Sequence, residues 1–325
     1  MRAITIEKNG DERVLRLTEL PQPSPGPGEV RIRVVASAVN RADLMQARGL
    51  YPPPAGAPET LGLECAGAIA ELGAGVDGFA VGDRVMALLA GGGYAEEAIV
   101  HAGSLISVPD DLPLEQAAAL PEVFLTVFLN VFQLGGLAEG GTALVHGGGS
   151  GIGTAAIQLI RCAGAMSVVT AGSDEKCAQC LELGADVAVN YRSGDFVEAV
   201  SKHTSGRGAD VVLDSIGAKY FEKNLASLAL GGRLVLIGLM GGAQSEINLG
   251  LLLTRRLQVI GSTLRARPVA EKAAIVRGFV DRFGEALREG RIRPIIDRTL
   301  PLADAMEAHR VLQASEHFGK VVLVT

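Results

Sequence analysis

From Thr142 to Gly153 the chain reads Thr-Ala-Leu-Val-His-Gly-Gly-Gly-Ser-Gly-Ile-Gly, an apolar run that passes directly into a glycine cluster and then a helical stretch. Glycines let backbone approach phosphate oxygens closely, and the first N–H groups of the following helix supply donors together with the positive end of its dipole. Gly147, Gly149, Ser150, Gly151, Ile152 and Gly153 are therefore expected to cradle a dinucleotide pyrophosphate. Ser150 stands where a G-x-G-x-x-G pattern has its middle glycine, so the cluster read alone is also open to a purely structural glycine turn.

The sequence downstream narrows the reading. A second apolar run, Met166 to Ala171, ends in Gly172-Ser-Asp-Glu-Lys176. A site for NAD places a carboxylate at this tip, about 20 residues beyond the glycines, to accept from the ribose 2′-hydroxyl. Here the tip carries Gly172 and Ser173, with Lys176 one turn later and Tyr191 and Arg192 at the end of the next apolar stretch. A hydroxyl and a cation suit a 2′-phosphate, which points to NADPH as the cofactor. Asp174 and Glu175 stand against it, and Ser173 also reads as a simple helix N-cap with acids in the first turn.

The elements that must position these residues alternate strand and helix through the middle of the chain. Strands are expected at 142–146, 166–171, 187–190, 209–214, 233–238 and 257–262, and helices at 151–163, 174–183, 195–204 and 218–229. Short valine- and isoleucine-rich strands linked by helices give an α/β fold, a doubly wound parallel sheet covered on both faces. Ligands bind beyond the carboxyl ends of such strands, so Ile216, Met240, Gly241 and Gly242 are expected to line the nicotinamide half. Thr126, near the start of this block, is counted with the cofactor-facing residues. Residues 1–121 differ: short strand-like runs at 29–36, 66–71 and 83–88 are separated by Pro and Gly, as in Pro21-Gln-Pro-Ser-Pro-Gly-Pro-Gly28, which reads as a compact β domain. The segment 263–325 offers a helix at 268–289, a second short helix and a last strand at 320–325. It is too small to stand alone and is expected to rejoin residues 1–121, with 122–262 as the cofactor domain and the substrate in a cleft between the two.

At 325 residues, 48% hydrophobic and 20% charged, the chain can bury two cores. Acids outnumber bases 36 to 30 and no basic run accumulates, which disfavours nucleic acid as a partner. No apolar stretch is long enough to span a bilayer, and Met1-Arg-Ala-Ile-Thr-Ile-Glu7 reads as a strand rather than a signal peptide, so cytoplasmic residence is expected. Cys65, Cys162, Cys177 and Cys180 are too scattered for a disulfide framework, and the Cys177–Cys180 pair reads as neighbours on one helix turn rather than a metal site.

Asn40-Arg-Ala-Asp-Leu-Met-Gln46, Gly49-Leu-Tyr-Pro52, Gly62-Leu-Glu64, Gly82-Asp-Arg-Val85 and the 142–158 block occur in the order typical of the medium-chain dehydrogenase/reductases. Across essentially its whole length the chain resembles their zinc-free NADPH:quinone oxidoreductases related to zeta-crystallin, most closely the stress-inducible quinone reductases. The resemblance implies a Rossmann domain with a GroES-like, mainly β catalytic domain. Zinc alcohol dehydrogenases of the superfamily carry a cysteine and a histidine where this chain has Asn40 and Leu63, so no zinc is expected. Without a Lewis acid, the acceptor must already be electrophilic, a quinone or an enone, and hydrogen-bond donors must meet the charge developing on its oxygen. Asn40 and Tyr51 are the catalytic candidates, Tyr51 because a tyrosine in a similar Gly-x-Tyr-Pro setting is the proton donor of related enoyl-thioester reductases. A turn-forming Asn40 and a proline-packed Tyr51 are the structural alternatives, and Arg41 with Asp43 reads as a structural polar pair. Three functions stay open: quinone reductase, reductase of α,β-unsaturated ketones or aldehydes, and a non-catalytic NADPH-binding protein. The apolar strand Leu257 to Ser262 is expected to pair with its copy in a homodimer.

Overall fold

The computed structural model describes residues 1–9 and 12–325. They form two compact units: Met1–Leu125 with Leu264–Arg288 and Arg293–Thr325, and Thr126–Thr263 with Glu289–Ile292.

The second unit is built on six parallel strands, Thr142–His146, Met166–Ala171, Val187–Asn190, Ala209–Asp214, Leu228–Leu236 and Gln258–Gly261. Their spatial order is third, second, first, fourth, fifth, sixth. The order reverses between Thr142–His146 and Ala209–Asp214, and a doubly wound sheet gathers its ligands at the carboxyl ends beside such a reversal. Leu144, Val168, Val212 and Leu234 are fully buried between helices, which is why the strands read as continuous apolar runs. The fifth strand begins earlier than the expected 233, at Leu228, because a register shift after Ala209 lets the chain pair sooner. The helix expected at 218–229 is instead a 3-10 turn, Ala218–Tyr220, followed by Phe221–Ser227.

In the first unit, one sheet takes the strands Ile296–Pro301, Lys320–Val324, Glu29–Ala38, Glu64–Leu72, Arg84–Leu88 and Leu105–Ser107 in that order, with Glu97–His101 also on Glu29–Ala38. Arg2–Asn9 and Glu12–Glu19 form a separate antiparallel pair. The last strand of the chain lies antiparallel to Glu29–Ala38, so residues from both ends of the sequence share one sheet. Among the described residues no helix is long and apolar enough to cross a membrane.

One glycine fixes how the phosphate-loop helix, Gly151–Cys162, meets its strand. A Cβ on Gly153 would sit 2.3 Å from the Gly147 carbonyl oxygen and 2.4 Å from that of Gly148, both backbone atoms that cannot swing aside. Gly153→Ala gains about 1 kcal/mol of helix propensity but must displace this turn, so we expect a net loss of about 1–3 kcal/mol. Denaturant unfolding of the variant checks this; equal or greater stability would show that the close approach is absent.

Candidate functional site

The glycine-rich loop from Gly147 to Gly153 is organised by Ser150, the residue that breaks the glycine pattern. It N-caps the helix, its Oγ accepting from the Gly153 N–H (3.1 Å) and donating to the Gly147 carbonyl (2.7 Å). Gly147 has φ +79°, and a Cβ on Gly148 would strike Val169 and Cys180. Gly151 and Ile152 occupy the first turn. A cradle that admits no side chains at Gly148 and Gly153, opening a three-turn helix, fits a pyrophosphate.

Ser173 N-caps the helix Asp174–Leu183 through the Lys176 N–H (3.2 Å). A Cβ on Gly172 would lie 2.8 Å from the Tyr191 hydroxyl, so Tyr191 reaches the strand tip next to Ser173, and Tyr191 is exposed. Asp174 is turned to Asn190, whose Nδ2 donates to it at 2.7 Å, and Arg192 lies beside that same Asn190. Cys177 and Cys180, on the buried side of this helix, are free thiols. Burial pushes the Cys180 thiol up to about 12, which leaves it protonated and inert.

At the other side of the order reversal, two strand tips are laced together. Gly241 N–H donates to the Ile216 carbonyl (2.6 Å), Ala218 N–H to that of Gly242 (3.0 Å) and Met240 N–H to that of Ser215 (3.2 Å). The freedom of Gly241 is needed for this contact, since its Cβ would meet Ile216 Cγ2 at 2.8 Å. Met240 is exposed, and Thr126 is buried at the start of the unit, its carbonyl accepting from Asn130.

In the first unit Asn40 is held by charge. Lys320 Nζ donates to Asn40 Oδ1 (2.7 Å), to Glu64 Oε1 (2.7 Å) and to the Val39 carbonyl (3.1 Å). Asn40 Nδ2 donates to Glu64 Oε1 (2.9 Å) and the Ala38 carbonyl (3.2 Å), and Glu64 Oε2 accepts from the Glu122 N–H. Glu64 and Lys320 are 0% and 3% exposed. Both amide hydrogens of Asn40 are thus committed, and donating to a substrate oxygen would require releasing one. A zinc ion does not fit these residues. Leu63 is buried hydrocarbon, Glu64 is paired with Lys320, and among the described residues no three His, Cys, Asp or Glu side chains stand together as ligands.

Asp43 does not pair with Arg41, contrary to the sequence reading. Two residues apart on a helix they point to different faces; Arg41 is exposed and Asp43 fully buried. Asp43 accepts instead from the Asn40 and Gly62 N–H groups and the Tyr94 hydroxyl, and burial still pushes it up to about 6. Tyr94 in turn contacts His309 Nε2 at 3.2 Å, and burial holds His309 down to about 4.

Tyr51 has a partner that sequence reasoning missed. The Arg265 guanidinium lies 5.4 Å from the centre of its ring, held by Nε to the Ala90 carbonyl (2.8 Å) and Nη2 to Gln46 Oε1 (2.6 Å). Nη1 is buried and has no hydrogen-bond partner among the described residues. Arg265 is 6% exposed. Burial raises the Tyr51 hydroxyl and Arg265 opposes that, so the phenol stays protonated at neutral pH. The Tyr51 ring and the Arg265 guanidinium therefore stack against each other. The only sequence signal was a basic residue following an apolar strand, 214 positions from Tyr51 along the chain.

Residues 26–110 match the family described as the alcohol dehydrogenase GroES-like domain, and residues 151–277 the zinc-binding dehydrogenase. The chain is 30% identical to rat quinone oxidoreductase over 100% of this chain and 98% of the rat protein. It also matches a mycocerosic acid synthase-like polyketide synthase of Mycobacterium tuberculosis at 34% identity, spanning 15% of that protein's length. Among solved structures, Escherichia coli quinone oxidoreductase complexed with NADPH superposes with TM-score 0.86 at 29% identity, covering 100% and 99% of the two chains. The JamJ enoyl reductase superposes equally well, TM-score 0.86 at 27% identity over 99% and 98%.

His309 supplies a pH test of the Asp43 cluster. The folded chain keeps it neutral down to about 4, whereas the unfolded chain protonates it at 6.5, so stability is lost as pH falls through that window. His309→Gln removes the titration and keeps a donor for Tyr94. Between about pH 7 and about pH 4.5, the stability advantage of wild type over the variant should shrink by about 2.5 kcal/mol. Chemical denaturation at both pH values measures it; an advantage that stays constant or grows on acidification contradicts the assignment.

Proposed function

This chain belongs to the medium-chain dehydrogenase/reductase superfamily, and we propose that within it the chain is a metal-independent NADPH:quinone oxidoreductase. The observation that carries the reading is the Tyr51 phenol with the Arg265 guanidinium over its ring, 5.4 Å from the ring centre. NADPH, when bound, supplies a hydride. The loop from Gly147 to Gly153 would hold the pyrophosphate, Ser173, Lys176 and Tyr191 the 2′-phosphate, and Thr126, Ile216, Met240, Gly241 and Gly242 the remainder. Tyr51 and Arg265 would donate to the acceptor oxygen as its charge develops, the work a Lewis acid does elsewhere. Asn40, tied to Lys320 and Glu64, would act by holding the Arg41–Ala47 helix in place. Steady-state assays with a panel of quinones and enones against NADPH and NADH test the reading directly; no turnover with any pair rejects it.

The likeness to an enoyl reductase keeps a second reading, reduction of a conjugated carbonyl with Tyr51 as acid. Alkene reduction leaves an enolate that must be protonated, whereas a reduced quinone collects protons from water. Tyr51→Phe removes only the hydroxyl. For quinones we expect a loss in turnover below about tenfold, and for enones a loss of about a hundredfold or more. A collapse of enone reduction alongside weak quinone turnover in the wild type would make the second reading primary.

Cofactor choice rests on Lys176. Lys176→Ala should raise KM for NADPH by about 10- to 100-fold and leave KM for NADH within about threefold. Equal affinity of the wild type for both nucleotides would remove the preference.

We also propose a cytoplasmic homodimer paired through Gln258–Gly261, the exposed last strand of the second unit's sheet, next in sequence to a helix that exposes Leu249 and Leu253. Light scattering at micromolar concentration should give twice the chain mass; a monomer refutes it.

A further inference from the structure

The interior of the second unit contains a continuous line of polar groups that the catalytic reading does not use. The Gly147 N–H meets Thr170 Oγ1 at 3.3 Å, Thr170 Oγ1 meets His146 Nδ1 at 3.1 Å, and His146 Nε2 meets Asn224 Oδ1 at 2.7 Å. Asn224 Nδ2 then donates to Asp214 Oδ2 at 3.0 Å. Asp214 accepts in addition from the Ile216 N–H (2.6 Å) and the Gly217 N–H (3.1 Å). His146, Thr170, Asn224 and Asp214 are all no more than 2% exposed.

The direction of every bond in this line is determined by its ends. Asn224 gives an N–H to the Asp214 carboxylate, so its oxygen faces His146 and Nε2 must carry the proton. His146 Nδ1 is then an acceptor, the Thr170 hydroxyl donates to it, and the threonine oxygen is left to accept from Gly147. The ring meets Phe196 and Tyr220, each with centroid 4.9 Å away, at 71° and 59°, and burial pushes the imidazole down to about 4, which keeps it neutral. Aligned hydrogen bonds in a dry interior polarise one another, so displacement of one member is felt along the line.

Its course is what gives the line a function. It begins at the first glycine of the phosphate loop and crosses the sheet at the reversal of strand order, from the end of Thr142–His146 to the end of Ala209–Asp214. It finishes at the turn Ile216–Gly217, where the Ile216 carbonyl accepts from the Gly241 N–H and the next residue, Ala218, donates its N–H to the Gly242 carbonyl. We propose that Thr170, His146 and Asn224 are positioning residues that lock the phosphate loop to the nicotinamide-side turn, so that the two halves of a dinucleotide are received in fixed register. This deepens the NADPH reading and rests on it.

The test uses Thr170→Val, which keeps size and removes one hydroxyl, with Thr170→Ser as the conservative control and Asn224→Leu as a second break further along. Residue-resolved amide exchange in the nucleotide-free protein is read at Gly147, Ile216 and Gly217. Calorimetry is read with 2′,5′-ADP, which lacks the nicotinamide half, and with NADPH. Thr170→Val should speed exchange by about fivefold or more at Gly147 and also at Ile216 and Gly217, with Asn224→Leu doing the same and Thr170→Ser within about twofold of wild type. NADPH affinity and kcat should each fall about tenfold in Thr170→Val while the 2′,5′-ADP affinity stays within about twofold. Faster exchange confined to Gly147, or equal losses for both nucleotides, would overturn the positioning role and leave the cofactor reading intact. A wild-type protein that binds neither nucleotide would overturn both.

Discussion

The first unit depends on a buried ion pair. Moving Lys320 and Glu64 out of water costs several kcal/mol per charge, and the pair is tolerated because every ammonium hydrogen and both carboxylate oxygens have partners. The partners come from Val39, Asn40, Glu122 and the last strand, so segments from the beginning, the middle and the end of the chain meet at one point. Asn40 is also the N-cap of Arg41–Ala47, and Gln46 on that helix holds Arg265, which lies over Tyr51. The Tyr51–Arg265 pair is therefore three contacts away from the ion pair, and a shift at Lys320 would propagate to Tyr51. Within the first unit this ion pair is thus the fixed point from which Asn40 and its helix are held.

The second unit faces a different problem, how to bring a glycine-rich loop and its helix close to the sheet without losing its grip on it. Gly153 and Gly148 bring helix and strand into contact too close for a Cβ, and Ser150 closes the turn with two hydrogen bonds. The polar line from Gly147 to Asp214 then ties that turn to the neighbouring strand. Each device is cheap locally; together they leave little freedom at the carboxyl end of the sheet.

Much of the second unit was legible in the sequence because its signals are local. Apolar runs of four to six residues, glycine at Gly147 and Gly153, and the cap at Ser173 are written within a few positions of the elements they start, whereas Ser150 reads only as a break in the glycine pattern and its cap is visible in the structure alone. The helix expected at 218–229 was misread because Gly217, at φ +80°, admits a 3-10 turn first, which periodicity does not register. The site of the first unit was only half legible. Asn40 and Tyr51 came from motifs, but their partners are remote: 280 residues separate Lys320 from Asn40 and 219 separate Arg265 from Gln46. Sequence spacing carries no trace of such contacts. Asp43 was assigned to Arg41 for the same reason, proximity along the chain being taken for proximity in space.

On the proposed reading, a hydride passes from NADPH to a conjugated acceptor with protein donors in place of a metal. The most direct measurement is single-turnover oxidation of bound NADPH by a quinone in protein stripped exhaustively with a chelator, followed by the loss of reduced-nicotinamide absorbance. The account predicts one NADPH consumed per quinone, at a rate unchanged by stripping or by added zinc. Absence of oxidation, or oxidation that returns only when zinc is restored, would contradict it.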